Sequence, residues 1–197
     1  MKKLIYLFIF LFSIGAYAQI NQSKLSEAEF KHKVMQLEQK AIKGDVNAIL
    51  ALGNLYYSHF TNNQKNNNLK KSYFWFEKAA FKKHNVGMYN LGYFNEQGLS
   101  TRVSLKKAIR WYESSAKTGN PLSMFKLIKI YRNENTKNYD LEKATYWSTL
   151  FFKITKDFYE SNMDKEENVN EKFKQHFNKF GIVNSEMLIE IVNFKPY

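Results

Sequence analysis

The side chains in this chain of 197 residues that could do covalent or metal chemistry are few and far apart. The four histidines, His32, His59, His84 and His176, are isolated, and none has a partner at metal-ligand spacing. There is no cysteine, hence no thiolate nucleophile and no disulfide. The sequence has no G-x-S-x-G elbow, no phosphate loop and no H-E-x-x-H helix. Eight glycines in the whole chain leave no room for a cradle loop. Glu166 and Glu167 are adjacent, so on a helix they diverge by about 100°. No catalytic residue, metal or cofactor is expected. What remains is chemistry suited to recognition: tyrosines, basic side chains and apolar rings, the types that anchor protein interfaces.

Such residues need a scaffold, and the tryptophans reveal it. Trp75, Trp111 and Trp147 are the only three, and both gaps are 36 residues. The same octet leads into each: Asn68-Leu-Lys-Lys-Ser-Tyr-Phe-Trp75, Ser104-Leu-Lys-Lys-Ala-Ile-Arg-Trp111 and Asp140-Leu-Glu-Lys-Ala-Thr-Tyr-Trp147. A fixed period of this length marks a stacked repeat architecture. Asn68, Ser104 and Asp140 are good N-caps, so a helix is predicted to start at Leu69, Leu105 and Leu141. Ser72, Trp75 and Ala79 then share one face, as do Ala108, Trp111 and Ser115, and Ala144, Trp147 and Phe151. These are the B helices.

Polar turns end the B helices at Lys82-Lys83-His84-Asn85 and at Lys117-Thr118-Gly119-Asn120-Pro121. Gly119 suits a left-handed cap and Pro121 a first helical turn. The A helices follow, with Ala48, Gly87 and Ser123 aligned as small residues. Behind them fall Leu52-Gly53, Leu91-Gly92 and Leu127-Ile128, then Tyr56, Asn95 and Tyr131. Each unit is therefore two antiparallel helices, with a core of Leu52, Trp75, Ala79, Leu91, Trp111, Ala116, Leu127 and Trp147. Glu38 to Asp45 resembles Glu77 to His84, so residues 19–45 are expected to hold a capping helix over about Leu25 to Lys43, with Gln36 at the tryptophan position. The first full unit is longer by an Asn-rich loop, Thr61 to Asn68.

Leu52-Gly-Asn-Leu-Tyr56, Lys71-Ser-Tyr-Phe-Trp-Phe-Glu-Lys-Ala-Ala80 and Lys107-Ala-Ile-Arg-Trp-Tyr-Glu-Ser-Ser-Ala116-Lys-Thr-Gly119-Asn120 resemble Sel-one-like repeats (SLR). The resemblance covers about Gly44 to Lys156, in three units at about 46–84, 85–120 and 121–156. Asn95 departs from the expected tyrosine, Ile128 from the glycine, and Phe151-Phe152 from the Ala-Ala pair. The resemblance implies an all-α, right-handed α-solenoid of tetratricopeptide-like helix pairs used as a protein-interaction scaffold. It also implies that the A helices line the concave face. The groove candidates are then Asn47, Leu50, Asn54 and Tyr57 in the first unit. The second supplies Val86, Tyr89, Tyr93 and Glu96, and the third Leu122, Phe125, Lys129 and Arg132. Leu50, Tyr89 and Phe125 form an apolar row that either meets a ligand or packs between A helices. Some secreted relatives bind β-lactams or cell-wall fragments, which leaves an envelope hydrolase or wall binder as the alternative reading.

The ends and the charge bound the partner. Lys2-Lys3, the apolar run Leu4 to Ile14 and Ala16-Tyr17-Ala18 read as a secretory signal over residues 1–18, too short to span a bilayer. An exported chain, periplasmic or extracellular, is expected, with no membrane span after cleavage, no nucleic-acid partner and a monomeric state. Residues 19–156 hold 23 Lys and Arg against 10 Asp and Glu, whereas residues 157–197 hold 5 against 8. A basic body favours an acidic protein or peptide. Residues 157–197 break the repeat and are expected to form capping helices, about Glu171 to Phe180 and Ser185 to Asn193, or a tail.

Overall fold

A computed structural model describes residues 25–63, 66–162, 176–181 and 190–191. The expected signal segment, the acidic stretch 163–170 and most of both expected C-terminal helices lie outside the described residues. The elements are α1 (Glu27–Ile42), α2 (Val46–Asn63), α3 (Asn66–Phe81), α4 (Asn85–Gln97), α5 (Leu105–Lys117), α6 (Pro121–Arg132) and α7 (Leu141–Asn162). There is no strand among the described residues.

Two compact units divide the chain, residues 1–36 and 37–197. In the first, the described residues begin α1 with a reciprocal cap. The Glu29 amide donates to Ser26 Oγ at 3.2 Å, and the Ser26 amide donates to Glu29 Oε2 at 2.8 Å. This is the Ser-x-x-Glu capping box.

In the second unit, α2/α3, α4/α5 and α6/α7 are antiparallel hairpins stacked in chain order, the arrangement of an α-solenoid. The turns repeat atom for atom. Leaving α1, α3 and α5, the amides of Gly44, Lys83 and Gly119 donate to the carbonyls of Ala41, Ala80 and Ala116. Those three residues share the left-handed region, with φ of 90°, 58° and 86°. Asp45, His84 and Asn120 then cap the next helix through their side chains. Within the second and third hairpins, the Ser104 amide donates to Asn95 O at 2.8 Å and the Asp140 amide to Tyr131 O at 2.9 Å. Ser104 and Asp140 cap α5 and α7 through their side-chain oxygens.

The first hairpin corrects one expectation. α2 runs to Asn63 and α3 already starts at Asn66, so helix takes up nearly all of the expected Asn-rich loop. Asn68 is not an N-cap. It is buried, with Nδ2 2.8 Å from His59 Nδ1, a polar pair inside the longer hairpin.

The core corrects a second. Leu52, Ala79, Leu91, Ala116, Leu127 and Trp147 are buried, but Trp75 and Trp111 are only partly so. The rings that fill the first two hairpins are the next residues along, Phe76 and Tyr112, both fully enclosed. The physical reason is room. Gly53 and Gly92 present bare backbone to those rings, so each ring sinks to the helix surface while the indole beside it turns partly outward.

Candidate functional site

The twelve groove candidates separate into two sets. Leu50, Val86, Tyr89, Leu122 and Phe125 are buried, which removes them as contacts for a partner. Packed helices lie only 8–10 Å apart, so a large residue on that side of an A helix goes into the seam. The Tyr89 ring meets Tyr112 at 5.7 Å, and the Phe125 ring meets Phe151 at 5.8 Å. The expected apolar row is therefore core. Asn47, Asn54 and Lys129 are exposed, and Tyr57, Tyr93, Glu96 and Arg132 are half-buried.

These accessible residues are partly linked. The Tyr57 and Tyr93 rings meet edge to face at 6.4 Å, joining α2 to α4. Lys126 Nζ on α6 lies 5.8 Å above the Tyr93 ring and 2.8 Å from Glu96 Oε2. The Tyr112 hydroxyl donates to the same Glu96 oxygen at 2.6 Å. Burial first, then the neighbouring Tyr57, raises the Tyr93 pKa far above the ordinary phenol range. Burial also leads the upward shift of Tyr112, with Tyr89 and Glu96 adding to it. Both phenols therefore stay protonated and act as donors. The arrangement offers hydroxyl donors, amides, cations and one carboxylate already engaged.

Lys126 was not among the candidates. It follows Phe125 directly, and the signal for it was charge. Glu96 near the end of one A helix needs a cation on the next, and Lys126 lies 30 residues on.

The described C-terminal residues rest on the same side of α4 and α6. A methyl group at Gly181 would overlap the Tyr89 ring. Asn120 Nδ2 donates to Phe180 O at 2.7 Å. Phe177 stacks on Phe151 at 6.4 Å, and Ile191 is buried in the same cluster. Lys129 Nζ pairs with Glu190 at 2.5 Å. Lys129 is thus occupied by the chain itself, whereas Asn47, Asn54, Tyr57 and Tyr93 lie on the two preceding A helices.

Comparison with known proteins fits this geometry. The family described as Sel1 repeat matches residues 46–80 and 85–120, the first two hairpins. The chain carries Sel1 repeats. The Sel1 match stops at Asn120, although α6 and α7 continue the stack. The crystal structure of a Sel1 repeat protein from Oxalobacter formigenes is similar with a TM-score of 0.53 at 18% identity, over 80% of this chain and 63% of that one. The structure of c5321, a protective antigen present in uropathogenic Escherichia coli strains displaying an SLR fold, gives 0.51 at 21%, over 81% and 35%. The chain thus spans under two thirds of the first and about a third of the second. At these identities the likeness speaks for the fold. No curated protein matches the sequence. Sel1 repeats generally serve as protein–protein interaction scaffolds and are typically non-enzymatic. No helix among the described residues is long and apolar enough to cross a membrane.

Proposed function

We propose that this chain is an exported, monomeric scaffold that holds an acidic peptide or protein against the A-helix face of its Sel1 repeats. The observation that carries the reading is the strip formed by Asn47, Asn54, Tyr57 and Tyr93, continued by Lys126 and Arg132. It is polar and aromatic and it crosses three hairpins, with Asn47 and Asn54 exposed and Tyr57, Tyr93, Lys126 and Arg132 half-buried. Aromatic and arginine anchors of this kind dominate the energetics of protein interfaces. The basic surplus of residues 19–156 supports an acidic partner by long-range attraction. Export rests on the N-terminal pattern Lys2-Lys3, Leu4 to Ile14 and Ala16-Tyr17-Ala18.

The test is a crosslinking pull-down from intact cells with the full chain as bait. Tyr93→Ala with Arg132→Ala is expected to abolish capture while leaving the thermal melt near that of wild type. Capture undiminished in that double variant overturns the reading. Cell fractionation and N-terminal sequencing test export: a mature chain beginning at Gln19 is expected, and a chain that keeps Met1 in the cytoplasm refutes it.

A further inference from the structure

We propose that the cleft between α5 and the α6–α7 connection is a separate binding site, for a polypeptide segment that carries carboxylates beside an apolar side chain. The cleft has a volume of about 670 Å³, within the range of ligand sites. Lys106 and Arg110 form one wall and lie at i and i+4, so they project from one face of α5. Lys137 comes from the α6–α7 connection and Lys143 from the first turn of α7. Tyr131, nearly fully buried, closes the site from α6, with its hydroxyl donated to Glu113 Oε1 at 2.8 Å.

The charge in this cleft is unbalanced. Asp140 is the one carboxylate among the lining residues, and it is already spent. Its Oδ1 accepts the Lys143 amide at 3.0 Å and its Oδ2 pairs with Lys143 Nζ at 2.8 Å. Lys106, Arg110 and Lys137 are exposed, and their charged groups have no carboxylate partner among the described residues. An arginine fork flanked by two lysines fits carboxylates, with Arg110 able to bind one bidentately.

The rim decides which anion. Tyr139 lines the cleft and is 44% exposed, and Val103 and Leu141, next to lining residues in sequence, are 70% and 58% exposed. A bare phosphate would satisfy the cations and leave these side chains wet. A peptide with an aliphatic or aromatic residue among its acids would cover both. The hairpin itself does not demand the cations. At the register positions of Lys106 and Arg110 the neighbouring units carry Lys70 and Phe74, and Glu142 and Tyr146. The paired cations thus belong to the middle unit alone.

The experiment is fluorescence anisotropy with the full chain and a fluorescein-labelled peptide, Glu-Asp-Leu-Glu-Asp-Phe-Glu-Asp. Saturable binding is expected, weakening as salt rises. Arg110→Ala with Lys137→Ala should weaken it by about tenfold or more, since a hydrogen bond to a charged group is worth that much. Arg110→Lys should fall between. A control removing equal charge elsewhere, Lys43→Ala with Lys117→Ala, should change affinity by less than about twofold, the scale expected of screened surface charge. No saturable binding, or equal binding by the Gln/Asn version of the peptide, overturns the proposal. So does tripolyphosphate or a single-stranded DNA 12-mer binding more tightly than the peptide. Loss of binding in Tyr93→Ala with Arg132→Ala, but not in the Arg110 and Lys137 variant, would instead place the peptide on the A-helix strip.

Discussion

Gly92 and Tyr112 are fitted to each other: a methyl group at Gly92 would lie 2.5 Å from Cε1 of the Tyr112 ring. Gly53 and Phe76 stand in the same relation one unit earlier. One unit later both members change together, to Ile128 and Ser148. In each unit one position supplies the bulk and the other supplies the space, so two departures from the repeat become one compensated exchange.

Gly92→Ala should therefore destabilise by overpacking, at about 1–3 kcal/mol. For a chain of this size that lowers the melting temperature by roughly 2–4 °C per kcal/mol. Tyr112→Ser alone should cost more, because it opens a cavity and removes the donor to Glu96. Gly92→Ile with Tyr112→Ser, which copies the third unit, should recover part of the loss. A double-mutant cycle followed by thermal denaturation measures the coupling. Strict additivity would mean that the two positions do not share space.

The period of 36 residues made the hairpins, their order and some caps legible from sequence. The caps at Ser104 and Asp140 follow from residues whose side chains can reach the next helical turn, whereas His84 and Asn120 stand in the sequence only as parts of polar turns. Depth was not legible in the same way. Tryptophan draws the eye because it is rare and in register, yet an indole at i and a phenyl ring at i+1 both border the core. Only the opposing glycine decides which one sinks, and the pairing of Gly53 with Phe76 crosses 23 residues. The A-helix face failed for a related reason. Helical spacing separates sides of a helix, but Leu50, Tyr89 and Phe125 are hidden by neighbours that spacing alone does not reveal. Part of that cover is the C-terminal segment, through Gly181 on Tyr89 and Phe177 on Phe151. It lies outside the repeat, so the period carried no information about where it rests.

Replacing the rings in turn tests this picture of the core. Phe76→Ala and Trp147→Ala remove enclosed side chains and should each cost about 3–5 kcal/mol. Trp75→Ala should cost less, since its side chain is only partly buried. Chemical denaturation of the three variants gives the order. A Trp75 variant weaker than the Phe76 variant would restore the tryptophan to the centre of the first hairpin.

Lys83 holds a backbone shape that the equivalent turns give to glycine. Its φ of 58° matches the left-handed caps at Gly44 and Gly119. A side chain in that region costs roughly 1–2 kcal/mol. Lys83 is exposed, so nothing in the core depends on it. Lys83→Gly should raise stability by about 0.5–1 kcal/mol after the added freedom of the unfolded chain is counted. A lower midpoint in urea would show that the lysine makes a compensating contact.

The cap of α4 should make stability depend on pH. His84 Nδ1 accepts the Val86 amide at 3.3 Å, which requires that nitrogen to be unprotonated. Burial lowers the His84 pKa below its ordinary 6.5. Burial, aided by Lys179, lowers that of His176 as well. A base whose pKa falls on folding takes up a proton when the chain unfolds, so stability rises with pH across this window. The contribution is complete above pH 6.5 and is lost as the pH falls through the folded value. Melting temperature should therefore be nearly flat from about pH 8 to 7 and decline toward pH 5, before most carboxylates titrate. His84→Asn keeps a side-chain acceptor at the cap but cannot titrate there. It should flatten part of the decline and leave the share due to His176. A wild-type slope in the His84→Asn variant would remove the cap from the account.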